Sequence, residues 1–198
     1  MIDMEGVEVE LLQAGVEVEL LWKPFQLSPE SSIEGEDKMT AYMKKFGPDF
    51  KNVLLDPNNH VFSRARALGA EMKYVEGSKV FNTIPVHSLL HWTQEKFGTK
   101  KANELHEVLF RKYHGEGLNL GPNEELLKAA AEVGLPVAEV ETMLNSGELT
   151  AEIQKEVQKS RSECSGVPYF KFPNGKTISG GVAPDAFVGV LGECAQAA

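Results

Sequence analysis

The sequence predicts an α/β fold: a mixed sheet with strands near both ends of the chain and a large helical insertion at about residues 37–163. Three patterns support this prediction. Apolar and acidic residues alternate before residue 22, as they do in half-buried strands. Apolar residues then recur at helical spacing through the insertion, and the strand pattern returns after residue 166. Strands at both ends with helices between them are typical of a sheet covered by helices.

The first strand signal is a short repeat. Residues 6–12 (GVEVELL) recur as residues 15–21, and each copy has the alternation of a half-buried strand. The connection over residues 13–15 is too short for a parallel crossover, so the pattern predicts an antiparallel hairpin of residues 7–12 with residues 16–21. Pro24, just beyond, should end regular pairing because proline lacks an N–H donor.

Helical periodicity then dominates the chain. Apolar residues at i, i+3 and i+4 predict five helices, which cover residues 86–97, 102–113, 126–131, 140–144 and 150–164. Gly98 should end the first of these helices, and Gly134 should end the third. Ile153 and Val157 should point inward from the last one. Shorter helices are predicted over residues 37–46 and 59–70.

The strand pattern resumes in the last quarter of the chain. Residues 169–172 and 176–178 alternate apolar and polar side chains and flank Asn174 and Gly175. Asn-Gly between alternating runs predicts a hairpin, because both residues tolerate positive φ. Pro184 suits the first turn of a terminal helix, whose apolar side carries Phe187 and Leu191.

Composition excludes several classes of partner. The formal net charge is −9, so nucleic acid and anionic membrane surfaces are not expected as partners, because their phosphates would be repelled. No apolar stretch approaches the roughly 18 residues that span a bilayer. The first residues are acidic and lack the basic flank of a secretory signal. With only two cysteines, a disulfide framework is not expected, and the predicted location is the cytoplasm.

Four stretches in order resemble one known family. They are residues 22–29 (WKPFQLSP), residues 81–83 (FNT) with His87, residues 109–117 (LFRKYHGEG), and residues 166–170 (GVPYF) with 178–180 (ISG). Together they resemble the DsbA-like thioredoxin family, particularly its cytoplasmic FrnE-like branch, and the likeness covers roughly residues 16–193. It implies a thioredoxin-like mixed sheet and one DsbA-like domain over residues 1–198.

The resemblance also assigns a binding site. In the family the proline of Gly-Val-Pro follows a cis peptide bond, and the backbone before it pairs with an extended peptide or a thiol substrate. Carried over, this makes Val167 and Pro168 the substrate-binding residues, with a peptide or a small, glutathione-like thiol as ligand. A cis bond at Pro168 is therefore expected from the resemblance alone, since only about 5–6% of X–Pro bonds are cis.

The chain departs from the family at the other half of the site. Family members carry Cys-x-x-Cys at the start of a helix, where the helix dipole helps to form a thiolate. Only about 15 residues precede the second strand here, and they contain no cysteine. The first strand and the active-site helix are thus interpreted as lost, or replaced by the duplicated strand. Residues 7–12 are expected to fill the central slot of the sheet; otherwise its open edge would favour a homodimer.

Neither cysteine nor histidine supplies a substitute. Cys164 is expected near the C-terminal end of a helix, where the dipole disfavours a thiolate, and Cys194 late in the terminal helix, so both are interpreted as free structural thiols. His87, His91 and Glu95 share one helix face, but no further ligand stands at suggestive spacing. We therefore predict no catalytic residue, no metal site and no cofactor.

Three functions remain open from the sequence. The first is a DsbA-like (FrnE-like) thiol–disulfide oxidoreductase by descent, inactive as given because the dithiol is missing. The second is a non-catalytic thioredoxin-fold binding module for a peptide or small thiol. The third is a relative of kappa-class glutathione transferases and 2-hydroxychromene-2-carboxylate isomerases, which share the architecture but use a serine at the start of the first helix.

Overall fold

The computed structural model describes residues 18–197. The chain divides into two compact units. The larger unit, residues 21–159, contains most of the helices; the smaller unit combines residues 160–197 with the described residues 18–20. The prediction of one domain over residues 1–198 remains a prediction, and the two units are described separately.

The larger unit is built on helices with one short pair of strands. Its elements, in chain order, are β1 (Glu36–Asp37), α1 (Lys38–Phe46), α2 (Phe50–Leu55), α3 (His60–Ala67), β2 (Lys79–Val80), α4 (Ile84–Phe110), a π-helical turn (Arg111–Gly115), α5 (Asn123–Glu132), α6 (Val137–Ser146) and the start of α7 (Glu148–Glu163). Strands β1 and β2 are antiparallel, with Glu36 opposite Val80 and Asp37 opposite Lys79.

Local chemistry explains where several helices begin and break. The Asp37 carboxylate accepts the Thr40 amide N–H at 2.8 Å and so caps α1. Asn59 caps α3 in the same way through the amide of Phe62. Helix α4 is interrupted at Gly98, whose φ of 83° and ψ of 170° are not helical. Glycine adopts such a conformation without a steric penalty, so the break occurs where the sequence predicts it.

The core of the larger unit lies between α4, α5 and α6. Its buried members are Phe81, Leu89, Leu90, Leu105, Leu109, Leu120, Leu126, Ala129, Ala130, Leu135 and Val140. A second cluster joins Ile153 and Val157 of α7 to Ile84 at the start of α4. The inward orientation predicted for Ile153 and Val157 is therefore confirmed.

The smaller unit is a hairpin packed on a helix. Strands β3 (Tyr169–Lys171) and β4 (Thr177–Ser179) pair antiparallel, and α8 spans Pro184–Ala197. Phe187 of α8 is buried, and the apolar side chains around it include Phe170, Phe172 and Ile178. The predicted Asn-Gly hairpin and the terminal helix from Pro184 are both confirmed.

The predicted α/β class with a large helical insertion is confirmed, but the sheet differs in detail. In residues 18–197 the strands form two separate two-stranded antiparallel sheets, and the β1–β2 pair and helix α2 were not predicted. Most of the predicted hairpin of residues 7–12 with 16–21 lies outside the described residues. Its described part, residues 18–21, is not a strand. Instead, side chains of α4 bind the chain that follows, and the first of these contacts is made by the Trp22 amide.

Candidate functional site

The proline loop, residues 166–168, precedes β3. The Val167–Pro168 peptide bond is cis, the isomer that the resemblance implies. Val167 is 48% exposed, and Pro168 is exposed as well. The carbonyl oxygen of Pro168 accepts a hydrogen bond from the Gly180 amide at 2.8 Å. This bond extends the β3–β4 pairing to the loop.

The hairpin sets the position of the proline loop. Tyr169 lies opposite Ser179 in the register of β3 and β4. The turn at the other end is closed by the Asn174 side chain, which accepts the Lys176 amide at 3.0 Å, and by Gly175, which has a φ of 80°. One face of the hairpin is anchored on Phe187 of α8. A short turn and an apolar face together set the register that carries Pro168.

The loop offers backbone groups to a ligand rather than a reactive side chain. Within the described part of the chain, the Val167 amide and carbonyl form no hydrogen bond to another residue. An exposed, unpaired backbone segment of this kind can pair with an extended chain. Lys171 and Glu163, which lie nearby in sequence, form an ion pair at 2.7 Å, so their two charges neutralise each other.

Both cysteines are free thiols and partly exposed. The Cys164 thiol donates a hydrogen bond to the Ser160 carbonyl oxygen at 3.4 Å. The two residues are four apart, so this bond spans one turn at the C-terminal end of α7. The sequence-based interpretation of free thiols agrees with this arrangement.

In the larger unit, the first stretch of the resemblance is bound along α4. The Trp22 amide donates to the Gln94 side-chain oxygen at 2.8 Å, and the Trp22 indole N–H donates to the Asn103 oxygen at 2.5 Å. The indole also stacks on the His106 ring, with centroids 3.9 Å apart. The sequence reasoning missed Gln94 and Asn103. No local pattern pointed to them, because they lie 72 and 81 residues from Trp22 in sequence.

The first and second stretches of the resemblance meet at the start of α4. The Asn82 side-chain oxygen accepts the Ile84 amide at 3.0 Å and the Gln26 side-chain N–H at 3.1 Å. Three residues after Ile84, His87 donates its Nε2–H to the Phe25 carbonyl oxygen at 3.1 Å. A carbonyl oxygen only accepts, so this bond requires the proton on Nε2. Asn82 and His87, which belong to the second stretch of the resemblance, therefore hold residues 25–26 of the first stretch in place.

Burial makes these histidines neutral. It lowers the pKa of His87 to about 4, and the hydrogen bond to Phe25 opposes the shift. It is also the main cause that lowers the pKa of His106 to about 4, with the neighbouring His87 adding to it. Removing a charged imidazole from water disfavours the protonated form. Both rings are therefore uncharged at neutral pH and serve as packing and hydrogen-bonding groups.

The histidine face of α4 is used for contacts within the protein. His87 bonds to Phe25, and the His91 Nε2 lies 3.4 Å from a Glu152 carboxylate oxygen, while Glu95 is exposed. In residues 18–197 there is no group of three or more His, Cys, Asp or Glu side chains placed to hold a metal ion. Nor does any helix in that range have the length and apolar character needed to cross a bilayer.

Comparison with known proteins identifies the family. The crystal structure of a probable DsbA oxidoreductase from Streptomyces coelicolor matches with a TM-score of 0.82 and 20% sequence identity, over 98% of this chain and 82% of that chain. This match confirms the thioredoxin-like fold. No curated protein matches the chain. The family model of the DSBA-like thioredoxin domain matches residues 7–192. The chain therefore belongs to the DSBA-like thioredoxin domain family.

Proposed function

We propose that this chain is a DsbA-like protein of the FrnE-like branch whose proline loop binds an extended thiol-bearing peptide or a small thiol such as glutathione. The family is one of thiol–disulfide oxidoreductases by resemblance. In the printed sequence, however, the two cysteines are thirty residues apart, at positions 164 and 194. Thiol–disulfide exchange needs an attacking and a resolving sulfur, so the chain as printed acts in binding rather than in exchange.

One observation carries the proposal: Val167 is 48% exposed and its backbone forms no hydrogen bond among the described residues, directly before a cis proline. The Gly180 bond to the Pro168 carbonyl holds the loop against β4, so Val167 keeps a defined orientation before a ligand arrives. A preorganised site does not pay the entropy of ordering its own backbone on binding. An extended ligand would accept the Val167 N–H and donate to its carbonyl, as in other strand-addition complexes.

The test compares two substitutions at the same position. Val167→Pro removes the backbone N–H, whereas Val167→Ala keeps it and trims only the side chain. A fluorescently labelled, extended peptide containing one cysteine is titrated with each variant, and circular dichroism checks the fold. We expect Val167→Pro to weaken binding at least about tenfold, which corresponds to one lost hydrogen bond of about 1.4 kcal/mol. Equal affinities of the two variants would refute the site.

Enzyme assays separate this proposal from its alternatives. Insulin reduction and glutathione oxidation should both be negative for the chain as printed. Turnover that disappears on Cys164→Ser would show that this thiol is catalytic and would overturn its assignment as structural. Conjugation of glutathione to an aryl halide would instead favour the transferase-related function.

A further inference from the structure

Strand β3 uses only one of its two edges. Among the strands of residues 18–197, it pairs with β4 alone. On either side of β3, the Pro168 carbonyl accepts the Gly180 amide at 2.8 Å, and the Phe172 amide donates to the Lys176 carbonyl at 3.0 Å. In an antiparallel pair, successive residues direct their backbone groups alternately toward the partner strand and away from it. Phe170, midway between these two residues, therefore also directs its groups toward β4.

The residues between them direct their backbone groups away from β4. These are Tyr169 and Lys171, and their N–H and C=O groups on this edge have no hydrogen-bond partner in the described part of the chain. Val167, two residues earlier, is unpaired as well. Tyr169 is partly exposed, and both Val167 and Lys171 are exposed. The unpaired edge of β3 thus begins at the proline loop and continues along the strand.

This edge lacks the usual protection against a further strand. Edge strands are commonly blocked by a proline or by a charged side chain. Here Pro168 directs its carbonyl toward β4, and the Lys171 ammonium pairs with Glu163 at 2.7 Å. The outer edge therefore keeps its donors and acceptors available for an added chain.

The edge fits a peptide better than a second copy of this protein. Strand β3 is three residues long, and a dimer joined through it alone would bury far less than the roughly 1,200 Å² of a stable interface. The printed chain also has a formal net charge of −9, so two copies repel each other. An extended peptide needs neither a large area nor an opposite charge, because main-chain hydrogen bonds supply its affinity.

We propose that the ligand of the proline loop is an extended peptide of at least five residues, which pairs with Val167 and continues as an antiparallel strand along Tyr169 and Lys171. This inference rests on the proposed function, because it takes the Val167 contact as given. It narrows the ligand class: five residues place one ligand residue opposite each of the three, and each such pair can exchange two hydrogen bonds. Glutathione contains only two amide bonds and cannot pair with all three.

The first experiment compares two substitutions in the full-length chain. Tyr169→Pro removes the outward N–H, whereas Tyr169→Ala removes the side chain and keeps the N–H. The probe is a fluorescein-labelled, end-capped pentapeptide of threonine and valine with a central cysteine, and circular dichroism checks the fold. We expect Tyr169→Pro to bind the probe at least about fivefold more weakly than Tyr169→Ala, as for one lost hydrogen bond. Equal affinities would overturn the proposal.

The second experiment changes the probe and needs no variant. End-capped peptides of three and five residues, with the same central cysteine, are titrated with the parent protein beside glutathione. The longer peptide reaches one more residue of the edge, so we expect it to bind at least about tenfold more tightly than the shorter one. If length makes no difference, the ligand does not continue along β3 and the proposal is wrong.

The Val167 variants separate this proposal from the function on which it rests. If Val167→Pro weakens binding and Tyr169→Pro does not, the loop binds its ligand and the extension along β3 is wrong. If Val167→Pro has no effect either, both proposals fail. Sedimentation velocity at the same concentrations tests the other occupant: a dimer of the parent protein that Tyr169→Pro dissociates would assign the edge to a second copy and overturn the peptide.

Discussion

The strongest prediction about stability concerns His87, which is buried, neutral and bonded to the Phe25 carbonyl. We consider His87→Gln. Glutamine keeps an N–H donor that can reach the same carbonyl, and it does not titrate. The substitution therefore removes the ionisable group while leaving the hydrogen bond to Phe25 available.

The expected effect follows from the difference in pKa between the two states. His87 has a pKa of about 4 in the folded protein, against an ordinary value of 6.5. Above pH 6.5 both states are neutral, and the residue contributes its full stability. Between pH 6.5 and about 4 only the unfolded state binds a proton, so stability falls with pH. From pH 7 to pH 5 the loss is about 2 kcal/mol, at 1.36 kcal/mol per unit.

Urea unfolding at pH 7 and pH 5, followed by tryptophan fluorescence and circular dichroism, measures this loss. His87→Gln should lose about 2 kcal/mol less than the parent protein between the two pH values. His60→Gln is the matched control, because the His60 side chain is exposed on α3, and it should behave like the parent. If His87→Gln and the parent lose the same free energy, the buried neutral histidine is not the source of the acid sensitivity.

Three further predictions concern packing and backbone conformation, each measured as the change in the free energy of unfolding. Gly117→Ala places a Cβ 2.5 Å from the Cβ of Val75 and should destabilise by about 2–4 kcal/mol, whereas Gly134→Ala, with a similar φ and open space, should lose only about 1 kcal/mol. Leu89→Ala, at a fully buried position, should lose about 2–5 kcal/mol. Trp22→Leu removes a ring stack and an indole hydrogen bond, and should lose about 2–4 kcal/mol. A loss below 1 kcal/mol in Leu89→Ala or in Trp22→Leu would contradict the packing described.

Elements that depend on neighbours in sequence were predictable. Asn174 and Gly175 predicted the β3–β4 turn because both tolerate positive φ, and Gly98 predicted the break in α4 because only glycine adopts its φ of 83° easily. The inward side of α7 followed from the spacing of Ile153 and Val157. The β1–β2 pair was not predictable, since each strand is two residues long and too short to show alternation.

The candidate site was predictable in part. The resemblance pointed to Val167 and Pro168, and the structure places them next to each other in an exposed loop with a cis bond. What the loop binds there remains a proposal. The partners of Trp22 were not predictable, because Gln94 and Asn103 lie 72 and 81 residues away in sequence and no local pattern records such a contact.

The sequence by itself determined the helical insertion, the C-terminal hairpin and the membership of the family, because periodicity, turn residues and short motifs are local properties. Only the tertiary structure decided which polar groups are buried together. It brought the Trp22 segment onto α4 and made His87 neutral by burial. Burial and pairing depend on residues distant in sequence, and a side chain's pKa and reactivity follow from them rather than from its neighbours in the chain.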